Sequence, residues 1–318
     1  MNYKQCAKAL LSHENILILT HKNPDGDTMA SAAALCSALQ RGGRTAWLYP
    51  NPQVSDKLRP FVEKYFAPAG YKYKYVVAVD IATEGLLPKG YEGLVNLCID
   101  HHPTNSHYAG AELVKAEKSA CAEAVMELIL NINTDITPEE ATLLYIGLST
   151  DTGCFQYANT SAATLRAGAE LLRFGADNKR VNLVFFRKAS RARLMLESMI
   201  YAGMGFYRDG KITVATVTLD MMEKAGATED DCGDLAGLAG RAEESVVSIT
   251  IKEQADGNCK ISVRSNPEVS SNQICAVFGG GGHDMAAGCT IMARRKRPGS
   301  CFSRLSTRSG NEWHPADR

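Results

Sequence analysis

Runs that are apolar at nearly every position recur along the first half of the chain: "NILILT" (15–20), "TAWLY" (45–49), "YVVAVD" (75–80) and "LVNLCID" (94–100). A strand with one wet face alternates, so these runs predict strands covered on both faces, as in a parallel sheet. The segments between them have helical character. An Ala-rich helix follows Asp27, which is placed to cap it, and others are predicted over 119–130, 138–149 with Pro138 in the first turn, and 161–174 between Ser161 and Gly175. Beyond residue 205 the pattern changes to alternation, in "KITVATVTL" (211–219), "SVVSITIKE" (245–253) and "CKISVRS" (259–265). The expected fold class is α/β: a parallel-sheet N-terminal domain over 1–180 with helices on both faces, a charged linker helix over 181–204, and a smaller C-terminal α/β domain over 205–291.

Composition agrees with two medium cores, since 318 residues with 45% hydrophobic content exceed what one small core needs. The formal net charge of zero is unevenly spread. Residues 292–318 hold seven Lys and Arg against two acids, which leaves 28 against 33 and net −5 for the rest. This last stretch has little apolar periodicity and is expected to be a disordered basic tail, either an RNA-binding arm or an altered end. An acidic body holds long duplex nucleic acid poorly by backbone charge, so phosphate binding there calls for cations. The 10 cysteines form no CxxC pair and lie among apolar neighbours, which suits reduced thiols. The apolar runs near the N-terminus are short for a signal or membrane segment, and the expected location is the cytoplasm with no membrane partner.

Candidate chemistry gathers at the ends of the predicted strands, where ligands of parallel sheets bind. "HKNPDGD" sets His21, Asp25 and Asp27 in one loop, and Gly26 permits a tight backbone between the carboxylates. Taken alone, this is also an ordinary turn and helix cap. The "DHH" at 100–102 shifts the balance, because a carboxylate and two imidazoles follow another strand, with Asp80 after a third and Asp151 in the polar loop "STDTGCFQYANTS". So many anions repel one another unless a cation joins them. Mixed carboxylate and imidazole donors suit Mn2+ better than Mg2+ or a thiolate zinc site.

With "HKNPDGD", "VAVD", "IDHH" and "STDTGCF" in this order, and "VRS" and "GGGGH" beyond them, the chain resembles the DHH phosphoesterase superfamily carrying the first type of DHH-associated domain. Cytoplasmic oligoribonucleases and phosphoadenosine phosphate phosphatases share this arrangement. The resemblance implies His21, Asp25, Asp27, Asp80, His101 and Asp151 as ligands of two Mn2+ ions, with Mg2+ or Co2+ as substitutes and Asp80 as the bridge. It implies Asp100 and His102 as the catalytic pair, Asp100 orienting an imidazole and His102 facing the phosphate. Arg264, Ser265, Gly280, Gly281, Gly282 and His283 would grip the rest of a nucleotide, Arg264 and Ser265 on a terminal phosphate and the glycine amides on phosphate or base. The implied activity is hydrolysis of short RNA and of 3′-phosphoadenosine 5′-phosphate, with a second copy of the chain as an admissible partner. A cyclic di-AMP or linear dinucleotide phosphodiesterase is the alternative, and a nucleotide-binding regulatory protein is the non-enzyme alternative. Retention of a coordinating side chain at all six ligand positions favours turnover.

Overall fold

A computed structural model of the chain describes residues 1–233 and 235–292, which divide into two compact units, Met1–Lys188 and a second that begins at Ala189. The expectation for a basic tail over 292–318 lies outside the described residues apart from Met292.

The first unit is built on five parallel strands: β1 (Ile16–Leu19), β2 (Ala46–Leu48), β3 (Tyr75–Val79), β4 (Leu97–Asp100) and β5 (Ala111–Val114), in the order β2-β1-β3-β4-β5. Helices α1 (Tyr3–Leu11), α2 (Gly26–Arg41), α3 (Arg59–Val62), α4 (Cys121–Ile132), α5 (Pro138–Asp151), α6 (Ala162–Arg173) and α7 (Asn178–Asn182) complete it. The central strands β1, β3 and β4 are buried at every position, as their unbroken apolar runs predict. One face, with Ile16, Ile18, Val77, Val79, Leu97 and Ile99, joins the helices in the main core. The opposite face, with Leu17, Leu19, Val76, Ala78 and Cys98, packs against connecting segments and tyrosines such as Tyr49, Tyr71, Tyr91 and Tyr108. The second helical layer expected from the sequence is thus supplied by loops and aromatic rings, which cover an apolar face without needing helical periodicity.

Helix starts follow local chemistry. Asp25 caps α2, while Thr137 with Glu140 and Ser161 with Thr164 form reciprocal capping boxes on α5 and α6. The stretch expected as one linker helix over 181–204 is interrupted. After α7, the wider π turn Leu183–Arg187 leads to extended backbone at Lys188, and Ser190 then caps a new helix, α8 (Arg191–Ala202).

In the second unit six strands form one mixed sheet: β6 (Gly205–Tyr207), β7 (Ile212–Val217), β8 (Val247–Glu253), β9 (Cys259–Ser265), β10 (Gly281–His283) and β11 (Ala286–Ile291), ordered β10-β11-β9-β8-β7-β6. Among the described strands only β7 and β8 run parallel. Ala215 and Val217 face Leu196 and Ile200 of α8 and Met222 of α9 (Leu219–Ala225), and Ile261, Val263 and Ala287 pack on Cys275 of α10 (Ser271–Ala276).

The glycine run before β10 has a packing cause. A Cβ on Gly280 would lie 2.3 Å from the Gly288 carbonyl oxygen and 2.4 Å from Cys289 Cβ, so β11 can close on this backbone only if no side chain intervenes. Gly280→Ala is therefore expected to destabilise the second unit by about 1–3 kcal/mol through overpacking. Denaturant unfolding followed by hydrogen exchange of β11 checks this; an unchanged midpoint would show that the approach is not tight.

Candidate metal centre

The strand order reverses direction between β1 and β3, and at such a switch point the carboxyl ends of the strands open a crevice. Both edges of that crevice carry ligand candidates. The loop after β1 supplies His21 and Asp25. Asp25 Oδ1 accepts the Asp27 and Thr28 amides at 3.0 and 3.1 Å, while Oδ2 lies 3.6 Å from His21 Nε2. The buried Thr28 hydroxyl donates to the Val79 carbonyl at 2.8 Å, which pins the start of α2 to the end of β3 one residue before Asp80.

Asp27 is 1% exposed and has a structural duty as well. The first residue of α4 follows Ala120, which offers no side-chain cap, and the Cys121 and Ala122 amides donate instead to Asp27 Oδ2 and Oδ1 at 2.6 and 3.0 Å. Ser31 Oγ also donates to Oδ1 at 2.9 Å, so this serine packs and supports rather than facing a ligand. Helix α5 closes over the group at Gly147, where a Cβ would sit 2.5 Å from Asp27 Oδ1.

Asp80 follows β3 in the left-handed region, at φ 61, with its amide donating to the Ile99 carbonyl at 2.8 Å. Such a conformation is costly for a non-glycine residue and clusters at functional sites. The side chain is 4% exposed, and its buried Oδ1 has no hydrogen-bond donor. Around that oxygen stand His101 Nε2 at 3.4 Å and His102 Nδ1 at 3.6 Å. The ring of His101 is fixed from behind, because Nδ1–H donates to the Lys118 carbonyl at 3.1 Å and leaves Nε2 as the free donor atom. Nε2 also lies 3.5 Å from Asp151 Oδ2 and 4.0 Å from Asp27 Oδ2. Asp151 is the last residue of α5 rather than part of a loop, as the sequence suggested, and the helix end aims it at the group.

All six expected ligands are thus brought together, and they fall into overlapping sets. His21, Asp25 and Asp80 form one, Asp27, His101 and Asp151 another, and Asp80, His101 and His102 a third, each with donor atoms within 4.8 Å of one another. Asp80 and His101 each belong to two sets. Asp100, fully buried at the end of β4, accepts the His101 amide and His102 Nδ1–H on Oδ1, both at 2.8 Å, and Asn105 Nδ2–H on Oδ2 at 2.6 Å. It therefore orients His102 and is itself fully engaged.

The electrostatics fit a cation. Burial, then the charges of Asp27, Asp25, Asp151 and Asp100, hold the Asp80 carboxyl well above the usual carboxylate range. Burial and the Asp27 charge push Asp151 up to about 8, and burial raises Asp27 against the opposing pull of His101. Asp100 goes the other way: burial would raise it, but the hydrogen bond and charge of His102 and the Asn105 donor lower it. Carboxyls raised by burial and by one another in one cluster mark a place where a cation would relieve the repulsion. An orphaned buried oxygen among carboxylates and a tautomer-fixed imidazole matches the donor set of divalent ions.

The remaining candidates belong to the second unit. Arg264 sits on β9 beside Ser248 and Ala286, half-buried, with Nη1 donating to the Val263 carbonyl at 3.0 Å and no carboxylate partner among the described residues. The Ser265 hydroxyl donates to the Val269 carbonyl at 2.5 Å and meets Ser271 Oγ at 2.8 Å, so it holds the loop between β9 and α10. The glycine run is not a cradle of free amides. Gly279 and Gly280 donate to the Ala276 and Cys275 carbonyls at 3.0 and 2.9 Å, Gly282 donates to Asn272 Oδ1 at 3.1 Å, and Gly281 pairs with Gly288 of β11. His283 is the last residue of β10, paired with Ala286. The sequence reading missed Thr28, Asn105 and the Lys118 carbonyl, whose roles depend on where the backbone brings them.

A carboxylate and imidazole cluster of this kind, at the switch point of a parallel sheet and followed by a second α/β unit, defines a metal-dependent phosphoesterase. The chain belongs to the DHH family: residues 15–148 match the DHH family N-terminal domain and residues 209–298 the DHHA1 domain. It is 36% identical over 280 residues, 87% of this chain and 84% of the relative, to the bifunctional oligoribonuclease and PAP phosphatase NrnA of Thermus thermophilus. Among solved structures it is similar to an exopolyphosphatase-related protein from Bacteroides fragilis, with TM-score 0.82 and 22% identity over 92% of both chains. It is also similar to RecJ from Thermus thermophilus in complex with Mn2+, with TM-score 0.54 and 15% identity over 91% of this chain and 52% of that one. These two likenesses concern the fold.

The raised carboxyls give a pH prediction. A carboxyl whose folded pKa exceeds its ordinary value of 3.8 favours the folded state at low pH and loses that contribution as pH rises toward about 8. Chelator-treated protein should therefore melt lower at alkaline than at mildly acidic pH, and added divalent ions should remove the difference. Thermal unfolding with and without Mn2+ checks it; a metal-free protein equally stable at both pH values would contradict the crowding of charge.

Proposed function

We propose that this protein hydrolyses short oligoribonucleotides to mononucleotides and 3′-phosphoadenosine 5′-phosphate to AMP, using two divalent ions, with Mn2+ the preferred metal. The observation that carries the reading is the sharing of Asp80 between two ligand sets, which suits a bridging carboxylate. His21, Asp25 and Asp80 would hold one ion and Asp27, His101 and Asp151, with Asp80 in reach, the other. When bound, the ions supply Lewis acidity and lower the pKa of water near neutrality, so no side-chain nucleophile is required.

The chain's own groups do the rest. The Lys118 carbonyl keeps the His101 lone pair directed at the carboxylates. Asp100 retains its negative charge through three donors and keeps the proton of His102 on Nδ1, so neutral His102 has an acceptor at Nε2 and protonated His102 a donor there for phosphate. Arg264, lacking a carboxylate partner among the described residues, is the candidate grip for a terminal phosphate, in two parallel hydrogen bonds. The oligoribonuclease and PAP phosphatase named among the relatives supports this substrate class. Mixed oxygen and nitrogen donors favour Mn2+ over Mg2+.

A product time course on di- to decaribonucleotides, 3′-phosphoadenosine 5′-phosphate and cyclic di-AMP with Mn2+ tests the assignment. Mononucleotides should accumulate fastest from the shortest RNAs, AMP should form from the phosphoadenosine, and a chelator should abolish both. Preferred cleavage of cyclic di-AMP, or processive degradation of the longest strand, would overturn it. Arg264→Ala should weaken substrate binding by about 1.5–3 kcal/mol, the worth of hydrogen bonding to a charged group, with a smaller effect on kcat. A loss confined to kcat would place Arg264 at the reacting phosphate instead.

A further inference from the structure

We infer that Asn105 is a positioning residue for this reaction: its side-chain amide fixes the rotation of the Asp100 carboxylate, and through it the proton and orientation of His102. The inference rests on the proposed role of His102 at the substrate phosphate and adds a residue that neither holds a metal nor touches substrate.

The geometry leaves Asn105 one orientation. Its Oδ1 accepts the His107 amide at 2.8 Å, an N–H that can only donate, so Nδ2 must be the atom facing Asp100 Oδ2 at 2.6 Å. Asn105 is 7% exposed, and its second contact from Nδ2 is with the buried Cys98 Sγ at 3.7 Å. Tyr108 closes the pocket from the other side, donating to the Ile81 carbonyl at 3.0 Å and reaching Cys98 Sγ at 3.6 Å. The Ser106 amide donates to the Ala82 carbonyl at 2.8 Å, and so ties the loop that carries Asn105 to the segment just after Asp80.

The two carboxylate oxygens of Asp100 therefore divide their work. Oδ2 is held by Asn105, and Oδ1 receives both the His101 amide and His102 Nδ1. A carboxylate hydrogen-bonded on one oxygen alone can turn about its Cβ–Cγ bond, a broad and soft torsion. Turning would swing Oδ1 away from His102 Nδ1, which lies only 3.6 Å from Asp80 Oδ1 and would find that oxygen as its competing acceptor. Asn105 removes this freedom. A ring whose proton sits on Nδ1 against Asp100 keeps Nε2 available to substrate, whereas a ring drawn to Asp80 takes up the oxygen that the metal ligand set needs.

Two substitutions separate this role from a loop tie. Asn105→Asp keeps an oxygen for the His107 amide and removes the donor to Asp100, while Asn105→Ala removes both without placing a second carboxylate beside the first. Thermal unfolding establishes that each variant folds. The first readout uses chelator-treated protein labelled with 15N-histidine, in which wild type should show a downfield Nδ1–H resonance assigned to His102 by its loss in His102→Gln. Both Asn105 variants should lose or broaden that resonance. The second readout is steady-state hydrolysis of a diribonucleotide with Mn2+, where kcat should fall at least tenfold with KM changed by no more than about threefold, as expected when an interaction realised in the transition state is removed. If Asn105→Asp does not fold, Asn105→Ala decides by the same two readouts. A folded variant with an intact His102 resonance and unchanged kcat would overturn the inference. The spectrum needs no substrate, so loss of the resonance together with absence of RNA hydrolysis by wild type would refute the proposed activity and leave the Asn105 to His102 linkage standing.

Discussion

The buried carboxyl of Asp80 is the constraint on which the first unit depends. Its side chain is buried, one oxygen has no donor, and its backbone is held left-handed between the ends of β3 and β4. Four more carboxylates, those of Asp27, Asp25, Asp151 and Asp100, stand close enough to raise its pKa further. The group can ionise at neutral pH only with an offset, because an unpaired buried charge costs several kcal/mol. The offset we propose is a cation held among His21, Asp25, Asp80, Asp27, His101 and Asp151, whose donor atoms lie in overlapping sets.

From that constraint the surrounding architecture becomes intelligible. Asp27 serves the ligand cluster and also caps α4 from another helix, so the orientation of α4 and the position of its carboxylate are set by the same two amides. Gly147 lets α5 come close enough to deliver Asp151 at its last turn. Thr28 ties α2 to the strand that carries Asp80. The Asp27 bonds engage a ligand directly, and the Thr28 and Gly147 contacts place the backbone that carries the others.

Much of this was legible in the chain. Strand-end polar residues after wholly apolar runs are an unusual juxtaposition, and in a parallel sheet they can converge on one edge, so the gathering of His21, Asp25, Asp27, Asp80, Asp100, His101 and His102 was legible from pattern, while the six-ligand set with Asp151 came from the family resemblance. Other features were not. Asp151 read as a loop residue because α5 continues through "STD", where Thr and Asp are weak helix formers that tertiary contacts override. The Gly279–Gly282 run read as a set of free amides because a sequence shows which backbone is permissive and not what packs against it; here Cys289 and Asn272 do. The bond from His101 to the Lys118 carbonyl carries no residue-type signal, since any amino acid supplies a carbonyl. The break at Lys188 was likewise hidden in a stretch whose charges are all compatible with helix.

A two-cation centre bridged by Asp80 is what the proposed chemistry requires of the cluster. Anomalous diffraction at the manganese edge from crystals grown with Mn2+ tests it directly. Two peaks are expected about 3.5–4 Å apart, the separation of two-metal sites, one against His21 and Asp25, the other against His101 and Asp151, with Asp80 between them. A single peak that leaves Asp80 without a metal contact, or manganese bound only elsewhere on the molecule, would contradict it.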